Sequence, residues 1–151
     1  MDTRSPHTPL PLEEEVFVSF QRAADWLLQG VESLLKLHGL SPAQYNVLRI
    51  LRGAGSEGLS CREVAERMVT RDPDMTRLLD RLEKQGLLSR ERRKDDRRVV
   101  TTRITPQGLD LLKRLDQPLH ELHRRQLRHI PAAHLKALAG LLDEVRARAP
   151  R

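Results

Sequence analysis

Residues 92–98 read Arg92-Arg93-Lys94-Asp95-Asp96-Arg97-Arg98, five cations around two carboxylates. Side chains of this kind, crowded at the tip of a hairpin, suit a polyanion. A narrow minor groove, where the negative potential of DNA is deepest, is a natural seat for such a tip. Arg98 is the candidate for that groove, with Asp96 holding its direction through an ion pair. Arg92, Arg93 and Lys94 suit phosphates, Arg97 shares the tip, and Asp95 has no evident task. The alternative is a solvated turn whose charge serves solubility.

A second constellation lies just upstream. Ser60-Cys61-Arg62-Glu63 has the form of a capping box, and a short helix with Val64, Ala65 and Met68 on one face should follow it. A further helix start is expected at Asp72, with Pro73 in the first turn and Asp74 near the positive helix end. The apolar stripe Met75, Leu78/Leu79, Leu82 continues it, and Gly86 should stop it. Two short helices across a tight turn make a helix-turn-helix, whose second helix reads bases with its N-terminal residues. Those are Asp72, Pro73, Asp74, Met75, Thr76 and Arg77. Arg77 is the main candidate, because an arginine paired to guanine is the commonest specific contact. Asp74 can accept from a cytosine amino group or orient Arg77, and Met75 or Pro73 can meet a thymine methyl. Arg71 and Arg81 suit phosphates, as do Ser60 and Arg62 at the preceding helix start. The bland alternative is a helix pair that only packs, with its arginines in solvent.

These residues need elements to hold them. Leu87–Arg92 and Val99–Thr105 read as two strands, rich in β-formers on the second, with the charged run as their hairpin tip. A helix-turn-helix followed by such a hairpin is a winged helix. Upstream, Val16, Phe20, Ala23, Leu27, Val31 and Leu34 step by three or four, predicting a helix from Leu12 to about Leu37. That is roughly seven turns at ~3.6 residues each, more than a compact domain of this size can cover alone. Ser41, Pro42 and Gln44 predict the next helix start, with Tyr45, Leu48 and Leu51 as its buried stripe. Gly53, Gly55 and Gly58 should loosen the chain after it, before a strand stub at Leu59. Thr105-Pro106 starts a helix with Leu109, Leu112, Leu115, Leu119 and Leu122 on one face, which Pro118 should kink or interrupt. Pro131 opens the last helix, with Leu135, Leu138, Leu141, Leu142 and Val145.

The fold class expected is therefore mainly α with a small β-wing, a winged helix-turn-helix flanked by long helices. The divisions are a flexible N-terminal arm at 1–11, a long helix at 12–38, the winged helix-turn-helix at 40–105 and C-terminal helices at 106–151.

Composition agrees with a nucleic-acid partner. Lys and Arg number 27 against 21 acidic residues, a formal charge of +6, and the isoelectric point is near 10.2. This balance favours polyanions. The single Cys61 cannot form an internal disulfide and fits a reducing compartment. No apolar run approaches the ~20 residues of a membrane span, and the N-terminus lacks an apolar signal core. The expectation is a cytoplasmic protein without a membrane partner. No Ser/His/Asp set, phosphate-binding glycine loop or paired carboxylate cleft stands out by spacing, so an enzyme is not expected. No cofactor is expected either. His120, His123, His129 and His134 lack further ligands and read as a solvated face rather than a metal site. Cys61 reads as inert, although a helix N-terminus can lower a thiol pKa.

Residues 40–112 resemble the MarR (multiple antibiotic resistance regulator) family of bacterial transcription factors. The stretches that carry the resemblance are LSPAQYNVLRIL, MTRLLDRLEKQGLLSRE and DDRRVVTTRITPQGLDLL. The family pattern of Asp-x-Arg at the wing tip, Leu-Thr, then x-x-Gly reads here as Asp96-Arg97-Arg98, Ile104-Thr105 and Pro106-Gln107-Gly108. Ile104 in place of leucine is a mild departure. The resemblance implies a homodimer joined by N- and C-terminal helices, with Leu12, Val16 and Phe20 meeting Leu127, Ile130, Leu135, Leu138 and Leu142. It implies Arg98 in the minor groove with Asp96 orienting it, on a near-palindromic operator in double-stranded DNA. It also implies a small-molecule effector, often an anionic aromatic, between the dimer helices and the winged helix. Trp26, Gly30, His38, Tyr45 and Met68 are candidates to line that pocket, although Trp26 and Tyr45 equally suit ordinary core and His38 can simply cap a helix. The function expected is a repressor relieved by such a ligand. The competing expectation is a winged-helix module that docks protein and binds no specific DNA.

Overall fold

The computed structural model describes residues 9–149. The expected arm at 1–11 therefore falls mostly outside the described residues. In chain order the elements are α1 (Leu12–Lys36), α2 (Pro42–Ala54), a single 3-10 turn (Gly55–Glu57), β1 (Leu59–Ser60), α3 (Cys61–Arg67), α4 (Met75–Lys84), β2 (Leu88–Arg92), β3 (Val100–Ile104), α5 (Pro106–Leu127) and α6 (Ala132–Arg146). The strands form one antiparallel sheet in the order β1-β3-β2. Its register sets Leu88 opposite Ile104 and Arg92 opposite Val100, with Leu59 opposite Thr102 on the other edge. This is the mainly α fold with a small β-wing that the periodicities predict, a winged helix-turn-helix between long helices.

One aliphatic core holds these elements together. Leu35, Leu48, Leu51, Val64, Leu79, Leu82, Leu88, Leu112 and Leu115 are all but completely excluded from solvent. Each contributes about 1.5–3 kcal/mol by burial. They come from α1, α2, α3, α4, β2 and α5, so both helices of the helix-turn-helix and the root of the wing share one interior. Gly108 lets α5 join it closely. A Cβ there would lie 2.3 Å from the Leu87 carbonyl oxygen and 2.7 Å from Ile104 Cγ1. The Thr105 hydroxyl donates to the Gly86 carbonyl at 2.6 Å and accepts from the Gly108 amide at 3.1 Å. The Thr105-Pro106-Gln107-Gly108 stretch thus caps α5 and bolts its first turn to the start of the wing.

Several local expectations need correction. α4 starts at Met75, capped by Asp74, not at Pro73 capped by Asp72. The Asp72 carboxylate takes the Asp74 amide at 2.8 Å, a local turn that competes with helix and delays it. The connection between α3 and α4 is consequently not a tight turn but runs from Met68 to Asp74. On α2 the buried stripe is Val47, Leu48 and Leu51. Tyr45 lies one step round the helix, half-buried, with the Arg49 guanidinium 5.8 Å from its ring centre. Gly53 lies inside α2 rather than in a loop. α5 runs through Pro118 without interruption. Arg114, whose carbonyl a proline leaves without a helical partner, is exposed, so water can take that bond. Leu111 rather than Leu109 is buried on this helix.

Candidate nucleic-acid interface

The start of α3 is held by a reciprocal cap. Ser60 Oγ accepts the Glu63 amide at 3.2 Å, and Glu63 Oε2 accepts the Ser60 amide at 2.7 Å. That amide hydrogen bond is the main reason the Glu63 carboxyl sits below its ordinary range. Arg62, almost fully exposed, donates from Nε to Glu66 Oε1 at 3.0 Å. Both phosphate candidates at the start of α3, its cap Ser60 and Arg62, therefore already have an intrachain partner.

On α4 the buried side is Leu78, Leu79 and Leu82, which forces Thr76, Arg77 and Arg81 outward into solvent. Asp74 Oδ1 accepts the Arg77 amide at 3.0 Å. The Asp74 carboxylate thus serves as helix cap rather than as a bracket for the Arg77 side chain. Met75 is half-buried against the core, so its side chain is not a free methyl probe for a groove. Arg77 and Arg81 line a shallow depression with Asp72, Asp74 and the first turn of α2 (Ser41, Ala43, Gln44). Arg71 and Pro73 are exposed on the connection before α4.

At the wing tip, backbone hydrogen bonds close the hairpin: Arg93 N to Val99 O at 2.9 Å and Val99 N to Asp96 O at 3.0 Å. Arg92 adds a bond from its guanidinium to the Arg97 carbonyl at 3.0 Å. Asp95, left without a task by the sequence, grips Arg93. The Arg93 Nε lies 2.9 Å from Asp95 Oδ1 and a terminal nitrogen 2.5 Å from Oδ2. This hydrogen bond lowers the Asp95 carboxyl pKa and raises that of the Arg93 guanidinium. A phosphate at Arg93 would have to share the guanidinium with Asp95. Asp96 has the ion pair with Arg98 expected of it, but a loose one, with Nε 3.9 Å from Oδ1; the same oxygen accepts the Arg98 backbone amide at 3.0 Å. The carboxylate shapes the turn that carries Arg98 and leaves its guanidinium 95% exposed. Lys94 and Arg97 are exposed beside it, and among the described residues neither has an ion-pair partner.

Arg90 was missed by the sequence reading. It lies on β2 and reaches back to α4, with Nε 2.7 Å from Glu83 Oε2 and a terminal nitrogen on Asp80. Two carboxylates three residues apart share a helix face, and that spacing opposite a strand arginine is the signal that would have found it. Arg103 on β3 likewise donates to the Ser56 carbonyl at 2.8 Å and pairs with Glu91 at 3.6 Å.

The five pocket candidates have different surroundings in the single chain. Trp26 is 53% exposed, and His38 is exposed. Tyr45 and Met68 are half-buried against the core. Gly30 faces α5: a Cβ on it would stand 2.6 Å from Gln126 Nε2, which donates to the Leu27 carbonyl at 3.0 Å. Its visible task is close approach of α1 and α5. A separate groove at the junction of α5 and α6 is lined by His120, His123, Arg124, Leu127, Ile130 and Leu135 among others.

Residues 40–100 match the MarR family. The chain is 38% identical to a MarR transcription factor from Planctomyces limnophilus, whose crystal structure it matches with a TM-score of 0.71 over 90% of this chain and 98% of that one. It is 32% identical to the transcriptional regulator TtmR of Methylorubrum extorquens, over 93% of this chain and 72% of the relative. It is 25% identical to the homoprotocatechuate degradative operon repressor of Escherichia coli over 88% of each. With its winged helix-turn-helix and these relatives, the chain belongs to the MarR family of transcriptional regulators.

Proposed function

We propose that the chain is a homodimeric repressor that grips a near-palindromic operator and lets go when a small ligand binds. The observation that carries the DNA reading is a single frame bearing two sets of exposed cations: Arg77 and Arg81 on α4, and Lys94, Arg97 and Arg98 on the wing. Arg77 reads a base edge in the major groove, with Thr76 and Pro73 beside it. Arg98 enters the minor groove, on a turn shaped by Asp96. Arg71, Arg81, Lys94 and Arg97 hold phosphates, and Ser60, Arg62 and Arg93 contribute through what their intrachain bonds leave available. Asp72, Asp74 and Met75 position the helix start. The name of the Escherichia coli relative, an operon repressor, supports the direction of regulation.

Dimerisation rests on exposed apolar side chains at both ends of the chain. Leu12, Val16 and Phe20 on α1, and Leu138, Leu141 and Val145 on α6, are each between 45% and 71% exposed in one copy. Faces of this kind are ordinarily covered by a partner. Segments 12–38 and 106–151 then serve assembly, and 40–105 serves DNA. Assembly is also what would bring Trp26, Gly30, His38, Tyr45 and Met68 toward a shared ligand space.

Selection of bound duplexes from a random pool, repeated with a panel of aromatic acids, tests this reading. A palindromic site should emerge, with affinity that falls steeply as salt rises. Arg77→Ala should cost about 1–3 kcal/mol at its base pair and relax preference there, whereas Arg98→Ala should weaken binding more generally. No enrichment and no retardation at low salt would favour a protein-docking module instead.

A further inference from the structure

Two elements that meet DNA in the proposed reading belong to different parts of the chain. α4 carries Arg77, and the β2–β3 hairpin carries Arg98 at its far end. A hairpin attached only at its root would swing relative to the helix. Arg90 stands between them. Its guanidinium bonds Glu83 through Nε at 2.7 Å and Asp80 through a terminal nitrogen. The side chain is only 24% exposed, while Arg77 and Arg98 stand in solvent. Across the strands Arg90 pairs with Thr102, whose side chain is fully buried. The bonded atoms are therefore anchored on both sides: by α4 through two carboxylates, and by the sheet through the backbone register. The Glu83 hydrogen bond raises the Arg90 pKa against partial desolvation, and Asp80 adds to it, so the fork stays charged. A planar guanidinium held at two points fixes orientation as well as distance.

We infer that Arg90, with Asp80 and Glu83, is a positioning device that locks the wing to the recognition helix, so that the major-groove and minor-groove contacts form as one unit. Arg90 does not touch DNA; it sets where Arg98 lands once Arg77 is seated. This inference rests on the DNA reading above and adds to it a coupling between two separated contacts. Its consequence is energetic: removing Arg77 weakens what Arg98 contributes, and the reverse.

The test uses the full chain carrying Asp80→Asn, Glu83→Gln and Arg90→Met together. That change removes two negative charges and one positive charge, raising the net charge by one. If the triad were only a nuisance of charge, the variant would bind every duplex as tightly as before or more so. Positioning makes the opposite prediction: operator affinity falls roughly tenfold, the size of one misplaced base contact, while affinity for a random duplex holds or rises. A double-mutant cycle of Arg77→Ala and Arg98→Ala should show coupling in the native background and near-additive losses in the triple background. Arg90→Lys keeps the charge and the apolar stem, so it serves where the triple variant folds poorly. It should lower the ratio of operator to random-duplex affinity. Operator affinity within twofold of the unaltered protein in the triple variant, or an unchanged ratio in Arg90→Lys, overturns the inference. An unaltered protein with no operator preference overturns the DNA reading itself, a separate outcome that takes this inference with it.

Discussion

The centre and the ends of this molecule are built on different terms. In the winged-helix centre, Leu48, Leu51, Leu79, Leu82 and Leu88 are sealed from water within one chain. At the ends, α6 has no buried residue at all, and only Leu35 of α1 is buried. Yet both terminal helices carry apolar side chains in number. The centre completes its own core; the ends keep theirs open. Along the 25 residues of α1, Leu12, Val16, Phe17 and Phe20 in the N-terminal turns are each more than half exposed, so the described residues of the same chain leave that stripe uncovered. The contrast leaves the winged-helix centre with a core of its own and the terminal helices with apolar side chains in solvent, where the proposed assembly would act.

The sharpest way to break that contrast is to cut the same group from each region. Leu82→Ala in α4 should cost about 2–5 kcal/mol in a urea melt, because it opens a cavity in a closed core. Leu141→Ala, on an exposed position of α6, should cost less than about 0.5 kcal/mol in a melt at high dilution. Comparable losses from the two would mean that the ends are already packed within one chain. Next in size, Phe20→Ala should weaken association by about 1.5–3 kcal/mol per copy, read as a shift in the sedimentation profile with concentration, while leaving the dilute-protein melt nearly unchanged. Gly108→Ala should cost about 1–3 kcal/mol, since the new methyl meets the rigid Leu87 carbonyl at 2.3 Å. Wild-type stability there would show that α5 can back away from the wing root. The smallest effect concerns the α3 cap. Glu63 has its folded pKa depressed below the ordinary 4.5, chiefly by the Ser60 amide. Its contribution is therefore complete above the unfolded value and fades as the pH falls through the folded one. Glu63→Gln keeps an acceptor for the cap but cannot titrate. Its melting temperature should lose less on acidification below about pH 4.5 than that of the native chain, and parallel curves would reject the assignment.

Legibility differed between backbone signals and side-chain partners. Ser41, Ser60 and Thr105 announced their helices because a cap is a local event, decided within three residues. Gly86 ends α4 with a φ of 73°, and its role was equally plain. Asp72 was misread for the same local reason: Asp72 and Asp74 are both good caps, and only the Asp72 bond to the Asp74 amide decides between them. The wing tip shows where spacing ran out. Asp96 was expected on the Arg98 guanidinium and meets it only loosely while also holding the Arg98 backbone amide, and Asp95, unassigned, holds Arg93. Arg90 escaped because its partners lie 7 and 10 residues away on another element, joined only once β2 folds back along α4.

The sequence by itself determined the order of helices and strands, the aliphatic core and the family, because period, caps and glycine stops act over a few residues and a family pattern is carried in short runs. Which arginine is withdrawn from solvent into the frame was decided by the tertiary structure. Arg77, Arg90, Arg93 and Arg98 are the same residue type, but only the packing of β2 along α4 brings Asp80 and Glu83 to Arg90. The hairpin turn itself sets Asp95 on Arg93 and Asp96 on the Arg98 amide, with Asp96 Oδ1 3.9 Å from the Arg98 Nε. The reason is that a turn acts over two residues, whereas a helix–strand contact needs the whole fold.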